Sequence, residues 1–354
     1  MTALERIWNR IRQSEAQLPT KIAIPRNQVD RGEKLGGPFE RDEHYFQVEV
    51  NEMFLTYKRE WFSSYDPVVL IISEFSYAKE RRSVPFVVGP NLIKAAMDSS
   101  SKLPNGMLFT NTRVAGVHPY RGDGLTISVV LYRLRVEDHL RKLMKVVETA
   151  AGALSFGTAL GAYLKVGDVI LDGIDSLFDL GALDPIVGHR QQFKQGFEPG
   201  YFALIDMPED QAANYKFWVR SDQLVVGATL ESAQPFRAAD YVLYNIGQLV
   251  ERDDLDLLPV YPLWEKVDQE ARVSDPDGNY WKNAKIHMST FAQAMAASPD
   301  LTSVQADKLE EEYIARMEVL HKRAAKMSNL SETKRGDVSE QDRVRSRTVA
   351  ILDL

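Results

Sequence analysis

The densest set of side chains able to do chemistry in this chain is a row of carboxylates. Asp168, Asp172, Asp175 and Asp179 stand in GDVILDGIDSLFDLG, residues 167–181, a stretch without lysine or arginine. Carboxylates grouped this way can ligate a hard cation, offer a negative face to a basic partner, or simply form the wet side of a helix. At about 100° per residue the four fall within an arc of roughly 60° on one helix. Calcium takes about six to eight oxygens converging from loops, and carboxylates strung along one regular helix do not converge. The spacing therefore predicts a solvated stripe or a contact surface for a protein with a basic face, and no metal.

The other reactive residue types are scattered. His44, His118, His139, His189, His287 and His321 have no second histidine or carboxylate at a metal-ligand spacing. GALSFG around Ser155 lacks the first glycine of a nucleophile elbow, because Ala153 stands there. SDPDGNYW begins like a calcium loop but has Tyr280 where the loop requires glycine and Ile286 where it requires an acid, so it reads as a turn. No glycine loop has phosphate-cradling spacing. Arg-Gly-Asp occurs at 121–123 and 335–337, and this triplet is also a good turn. No catalytic residue, cofactor or metal is expected, and the chain reads as a non-enzyme.

Positioning such a stripe needs a body, and 354 residues supply one of more than typical single-domain size. Hydrophobic residues make up 44% and charged residues 26%, which excludes overall disorder. Cysteine is absent, which removes disulfides, thiol nucleophiles and thiolate metal sites together. A net charge of −7 argues against general nucleic-acid binding. MTALERIWNRIRQSEAQLPT has no secretory apolar run and reads as a short amphipathic helix carrying Leu4, Ile7, Trp8 and Ile11 on one side. The expected location is the cytoplasm.

Strand patterning marks YFQVEVNE, the denser run PVVLIISEFSYA, SVPFVVGP, GMLFTNTRVAGV, LTISVVLYRLR, GYFALIDMP, YKFWVRSDQLVVG and YVLYNIGQLVERDD. SDQ between two apolar runs predicts a hairpin. From Val136 to Leu180 the period is helical, with glycines 167 and 181 read as the start and cap of its second helix. Like charges there cost roughly 0.2–0.5 kcal/mol per adjacent pair. Burying Val169, Ile170, Ile174, Leu177 and Phe178 contributes about 1.5–3 kcal/mol each as an upper bound, so the helix needs no ligand. The preceding helix brings Arg141, Lys142 and Lys145 too near its own start to neutralise the stripe. The uncharged run 149–164, with Gly157 and Gly161 at small-residue spacing, is shorter than the ~20 residues of a membrane span.

The fold expected is α+β: a predominantly antiparallel β-sandwich with an inserted helical hairpin and a C-terminal helical region. Its parts are an N-terminal helix and linker (1–43), the sandwich (44–261) with the insert at about 137–181, the helical region (262–327), and a flexible tail (328–354). The last helix is expected to start with Ser298 as cap and Pro299 as its first residue. In the tail, Arg343, Arg345 and Arg347 precede Ile351 and Leu352, a pattern that suits a strand docking on a sheet edge. The function expected is protein–protein interaction or scaffolding through the insert and the tail, including self-association. The alternatives are a membrane-active hairpin, with membrane contact disfavoured by its length, and an enzyme whose site has no motif.

Overall fold

Along Tyr241–Leu249, Tyr241 and Leu243 face one way and Val242, Tyr244 and Ile246 the other, and all five are buried. A strand apolar on both faces must be covered on both. That requirement builds the first unit, Met1–Leu257; Leu258–Leu354 forms a second. The computed structural model describes residues 3–13, 20–56, 65–89, 106–135, 137–152, 160–274 and 278–352.

The first unit holds twelve strands among the described residues: β1 (Thr20–Ile24), β2 (Tyr45–Thr56), β3 (Tyr65–Tyr77), β4 (Glu80–Val88), β5 (Gly106–Pro119), β6 (Leu125–Arg135), β7 (Leu183–Phe193), β8 (Gly200–Ile205), β9 (Phe217–Arg220), β10 (Gln223–Val226), β11 (Gln234–Pro235) and β12 (Tyr241–Leu249). They form sheets of order β4-β3-β6-β7, β1-β8-β12-β2-β5 and β11-β10-β9, with every named pair antiparallel. The five-stranded sheet is the middle layer. Val242, Tyr244, Ile246, Phe202 and Leu204 pack toward the four-stranded sheet, and Tyr201, Ala203, Tyr241 and Leu243 toward the three-stranded one. The protein is thus α+β with largely antiparallel sheets.

Strand β2 joins both cores through one extra residue. Leu243 pairs with Glu52 and Tyr244 with Val50, which leaves Asn51 as a bulge. The bulge shifts the phase, so Val50 faces the first core and Phe54 the second. Glu52, wholly buried, accepts the Leu224 N–H at 2.7 Å and an Arg237 N–H at 2.8 Å, tying the outer sheet to the middle one.

Two hairpins turn on two residues each with positive φ, the type I′ geometry that matches strand twist. Ser221 and Asp222 (φ 51° and 61°) close β9–β10 at the SDQ turn. The Tyr201 hydroxyl donates to Asp222 at 2.6 Å, and the Ser221 N–H donates to Asp30 at 2.8 Å. Ala78 and Lys79 (φ 51° and 69°) close β3–β4.

Helices α1 (Ala3–Gln13), α2 (Asp138–Gly152) and α3 (Leu160–Asp179) belong to the first unit. Inner-face residues Leu140, Met144, Val147, Ile170, Ile174 and Leu177 join the main core. The face of the four-stranded sheet that carries Tyr132 meets Phe178 of α3, ring centroids 5.3 Å apart. Its other face meets the middle sheet through Phe75–Phe46 (5.0 Å) and Phe193–Phe202 (5.1 Å). The hairpin is therefore a full layer over a sheet buried on both sides.

Residues 20–43, expected as linker, are more ordered than their composition suggests. β1 pairs along β8, Val29 bridges Val219, and Phe39 is buried against Phe197 and Tyr120. The 121–123 triplet is a turn closed on its own body, with Gly122 at φ 86°, Arg121 paired to Asp42, and Asp123 accepting from the Ser76 hydroxyl at 2.6 Å.

The second unit contains α4 (Tyr261–Ala271), α5 (Asn279–Ala296) and α6 (Ser303–Leu352). Its core gathers Trp264, Phe291 and Tyr313, with Tyr313 4.4 Å from Trp264 and 5.0 Å from Phe291. Ala306, Leu309, Tyr313, Met317 and Leu320 form the inward stripe of α6. The last helix starts later than expected. Ser298 accepts the Asp300 N–H within the preceding turn, while Thr302 caps α6 by accepting the Gln305 N–H at 3.2 Å. A threonine three residues before a glutamine is the stronger start signal. The α6 backbone is helical through Leu352, so Arg343, Arg345, Arg347, Ile351 and Leu352 lie on a helix rather than on an extended strand. Their side-chain placement lies outside the described residues. Asp275 and Asp277 also lie outside them; Gly278 (φ 71°) and the helix beginning at Asn279 follow directly.

Candidate functional site

The acid stripe lies on α3, and its burial is uneven. Ile170, Leu171, Ile174, Leu177 and Phe178 are buried, whereas Val169 is 51% exposed and Leu180 57%. The helix is thus turned relative to the expectation that Val169 would be covered. The exposed face is centred near Asp172 and Ser176, and the aspartate row runs along one border of it. Asp168, Asp172 and Asp179 are exposed; Asp175 is only 6% exposed.

What lies against that border is α1. Ile7 and Trp8 are buried in the main core, the apolar side expected of this helix; Ile11 side-chain placement lies outside the described residues. Docking on this side brings Arg6 and Arg10, four residues apart and so on one face, over the carboxylates. Arg6 donates from Nε to Asp175 Oδ2 at 2.6 Å. Arg10 pairs with Asp179, lies 4.0 Å from Asp175, and sets its guanidinium 5.4 Å from the Phe178 ring centroid. Trp8 lies beneath Arg190, 5.8 Å from ring centroid to guanidinium. Half of the stripe is thus neutralised within the chain, by a helix about 170 residues away in sequence. Asp168 and Asp172 form no ion pair among the described residues. The cations of α2 do not serve the stripe, since Arg141 pairs with Asp66 on the neighbouring strand at 2.7 Å.

Glycine sets both the crossing and the end of α3. At the interior position Gly173 a Cβ would lie 2.5 Å from Val147 Cγ2, so glycine permits the close crossing of α2 and α3. Gly181 (φ 62°) terminates α3: its N–H donates to Phe178 O and that of Ala182 to Leu177 O, each at 2.9 Å, a Schellman cap. Gly167 is not the start of α3, which begins at Leu160; a Cβ there would meet Pro85 Cδ at 3.1 Å, so it marks close packing on β4.

The remaining expected chemistry stays dispersed. His118 is buried against Phe75 and Phe46, His44 accepts the Glu40 N–H, and His321 stacks on Trp281 at 4.0 Å in the second unit. Among the described residues, no three carboxylate or imidazole side chains are placed to hold a metal ion, and no helix is long and apolar enough to cross a membrane. Ser155 and Gly157 lie outside the described residues. No protein-family model, curated protein or solved structure matches this chain.

Proposed function

We propose that the protein is a non-enzymatic interaction or scaffold protein whose contact surface is the outer face of α3 with its aspartate border. One observation carries the reading: the stripe already receives a basic amphipathic helix, α1, yet leaves Asp168 and Asp172 exposed without an ion pair among the described residues. The partner is a protein with a basic surface, and its approach is accelerated by the two open carboxylates. The arginines at 343, 345 and 347 belong to the same reading as a second contact element, on the far part of α6. Within this reading the protein works in the cytoplasm, a compartment suited to a chain without cysteine.

The test is affinity capture from the native host, comparing wild type with Asp168→Lys/Asp172→Lys. Both sites are exposed, so the variant keeps its fold, checked by circular dichroism. Loss of specific partners in the variant is expected; recovery of the same set overturns the reading. Deleting 137–181 is no substitute, because it strips the core of Met144, Ile170, Ile174 and Leu177, all buried.

A further inference from the structure

The strip of α3 that α1 covers is built as a seat for a helix. Arg6 pairs with Asp175 and Arg10 with Asp179, each pair separated by 169 residues of sequence. A shared offset lays the two helices side by side in the same direction, with arginines about one turn apart against aspartates about one turn apart. Ile7 and Trp8, between the arginines in sequence, enter the main core, and the Arg10 guanidinium stands 5.4 Å from the Phe178 ring centroid. Adjacent apolar anchors flanked by charge are the means by which a groove holds an amphipathic helix: the anchors give affinity and the charges set register.

α1 fills this seat only in part. Asp175 Oδ1 is buried and accepts no hydrogen bond among the described residues, with Arg10 4.0 Å away. Carried back to Asp172, the same offset falls on position 3 of the chain, which is alanine. Asp172 is exposed and has no ion pair among the described residues. The occupant is also a short segment: eleven residues, marginal alone in water, with both arginines more than a third exposed. Segments of this kind open locally more often than the core they cover.

We infer that the α1 seat on α3 is a receptor for a basic amphipathic helix of a partner protein, with α1 as its intramolecular competitor. The partner helix carries two arginines four residues apart, bulky apolar residues at the two positions after the first arginine, and a third cation three residues before it. The arginines take Asp175 and Asp179, and the third cation takes Asp172, which α1 leaves open. Tethering gives α1 an effective concentration of the order of millimolar, so a helix in trans prevails through the pairings α1 lacks. The α1 of a second copy brings the same alanine and adds no such pairing. The inference rests on α3 as the contact element and names the partner's chemistry. It uses the strip beneath α1, so its failure leaves the capture experiment on Asp168 and Asp172 standing.

The probe is a fluorescent synthetic peptide of residues 1–13, with a second peptide carrying Ala3→Arg, each titrated against the full chain by fluorescence polarisation. Competition makes the apparent Kd fall in proportion to the fraction of chains whose own α1 is undocked. The Arg10→Ala chain is expected to bind the plain peptide up to about fivefold tighter than wild type, and the Ile7→Ala chain about thirtyfold tighter. Arg10→Ala leaves the core untouched, so the trend is read even where Ile7→Ala unfolds the chain. The Ala3→Arg peptide is expected to bind roughly two- to fivefold tighter than the plain one, a gain that Asp172→Asn in the chain removes. No saturable binding to either loosened chain up to about 1 mM overturns the inference. Equal affinity for wild type and both loosened chains does so too, because the peptide then binds elsewhere. An Ala3→Arg gain that survives Asp172→Asn overturns the register. Dimers of the wild-type chain that excess peptide dissolves, seen by sedimentation, overturn the partner-protein assignment in favour of a second copy.

Discussion

Replacing Ile7 by alanine tests what holds α1 against α3. Ile7 is wholly buried and Trp8 nearly so, while Arg6 and Arg10 are each more than a third exposed. An eleven-residue helix is marginal by itself in water, so its order depends on docking. Ile→Ala at a buried site costs about 2–5 kcal/mol. A surface ion pair contributes roughly 0.2–1 kcal/mol and is screened by salt. The apolar anchor therefore dominates, and the arginines set register and orientation. Taking about 2 kcal/mol for Ile7, the undocked population rises roughly thirtyfold. For Arg10→Ala the rise stays below about fivefold. Hydrogen–deuterium exchange of the peptide covering α1 reads this directly, since opening multiplies its exchange rate by the same factor. Trypsin cleavage after Arg10 gives a second measure. If Arg10→Ala, or high salt on the wild type, releases α1 as fully as Ile7→Ala does, the ordering of the two effects is wrong and electrostatics hold the helix.

Three further outcomes follow from the first unit. Ala78→Asn/Lys79→Gly gives a type I′ turn the residues it favours, so the variant is expected to gain about 1 kcal/mol, seen as a Tm rise of about 2–4 °C. Arg237→Ala leaves the wholly buried Glu52 without its cation and is expected to cost about 3–5 kcal/mol in urea denaturation, while Arg237→Ala/Glu52→Leu recovers most of it. Burial first, then the Arg252 charge, hold the His118 pKa down at about 3, against 6.5 for a free imidazole. The unfolded chain then binds the proton that the fold refuses, so this group makes stability fall between pH 6.5 and about 3. From pH 7 to 5 the loss is about 2 kcal/mol, and subtracting the pH profile of His118→Phe isolates it.

The elements most legible in the sequence were those with one covered face. α1 and α3 carry clean apolar stripes and are helical as the periodicity reads, with the glycine cap at 181, but α3 begins at Leu160 rather than at Gly167 and leaves Val169 exposed. The strands missed were β1, β7 and β11. β1 reads TKIAI and β7 reads LDPIVGHRQQF, where edge position and polar inner residues break the alternation. β11 is two residues long, below any period. The start of the last helix differs from the expectation because Ser298 followed by proline and the Thr302–Gln305 capping pair are both start signals in sequence, and the Gln305 N–H bond to Thr302 decides between them. For the stripe, the cations nearest in sequence are those of the neighbouring helix, and Arg141 there is paired with Asp66 instead. The spacing of Arg6 and Arg10 on the polar side of α1 was visible, but its meeting with Asp175 and Asp179 depends on tertiary placement that no local pattern encodes.

That placement constrains any partner of the hairpin. α2 and α3 together cover a sheet whose other side is already closed by the middle layer, so their inner faces are committed. A partner that demanded Ile170, Ile174 or Leu177 would have to uncover this sheet. Each residue withdrawn forfeits about 1.5–3 kcal/mol as an upper bound, and three of them approach the whole stability of a typical domain. Binding must therefore use the outer face: Asp168 and Asp172, exposed Val169 and Leu180, or the strip held by α1. Only the last is a continuous apolar strip already shaped to a helix, and reaching it means displacing Ile7 and Trp8. A partner that binds without releasing α1 has only Asp168 and Asp172 with the isolated Val169 and Leu180 beside them, so charge dominates its contact and its affinity falls with salt.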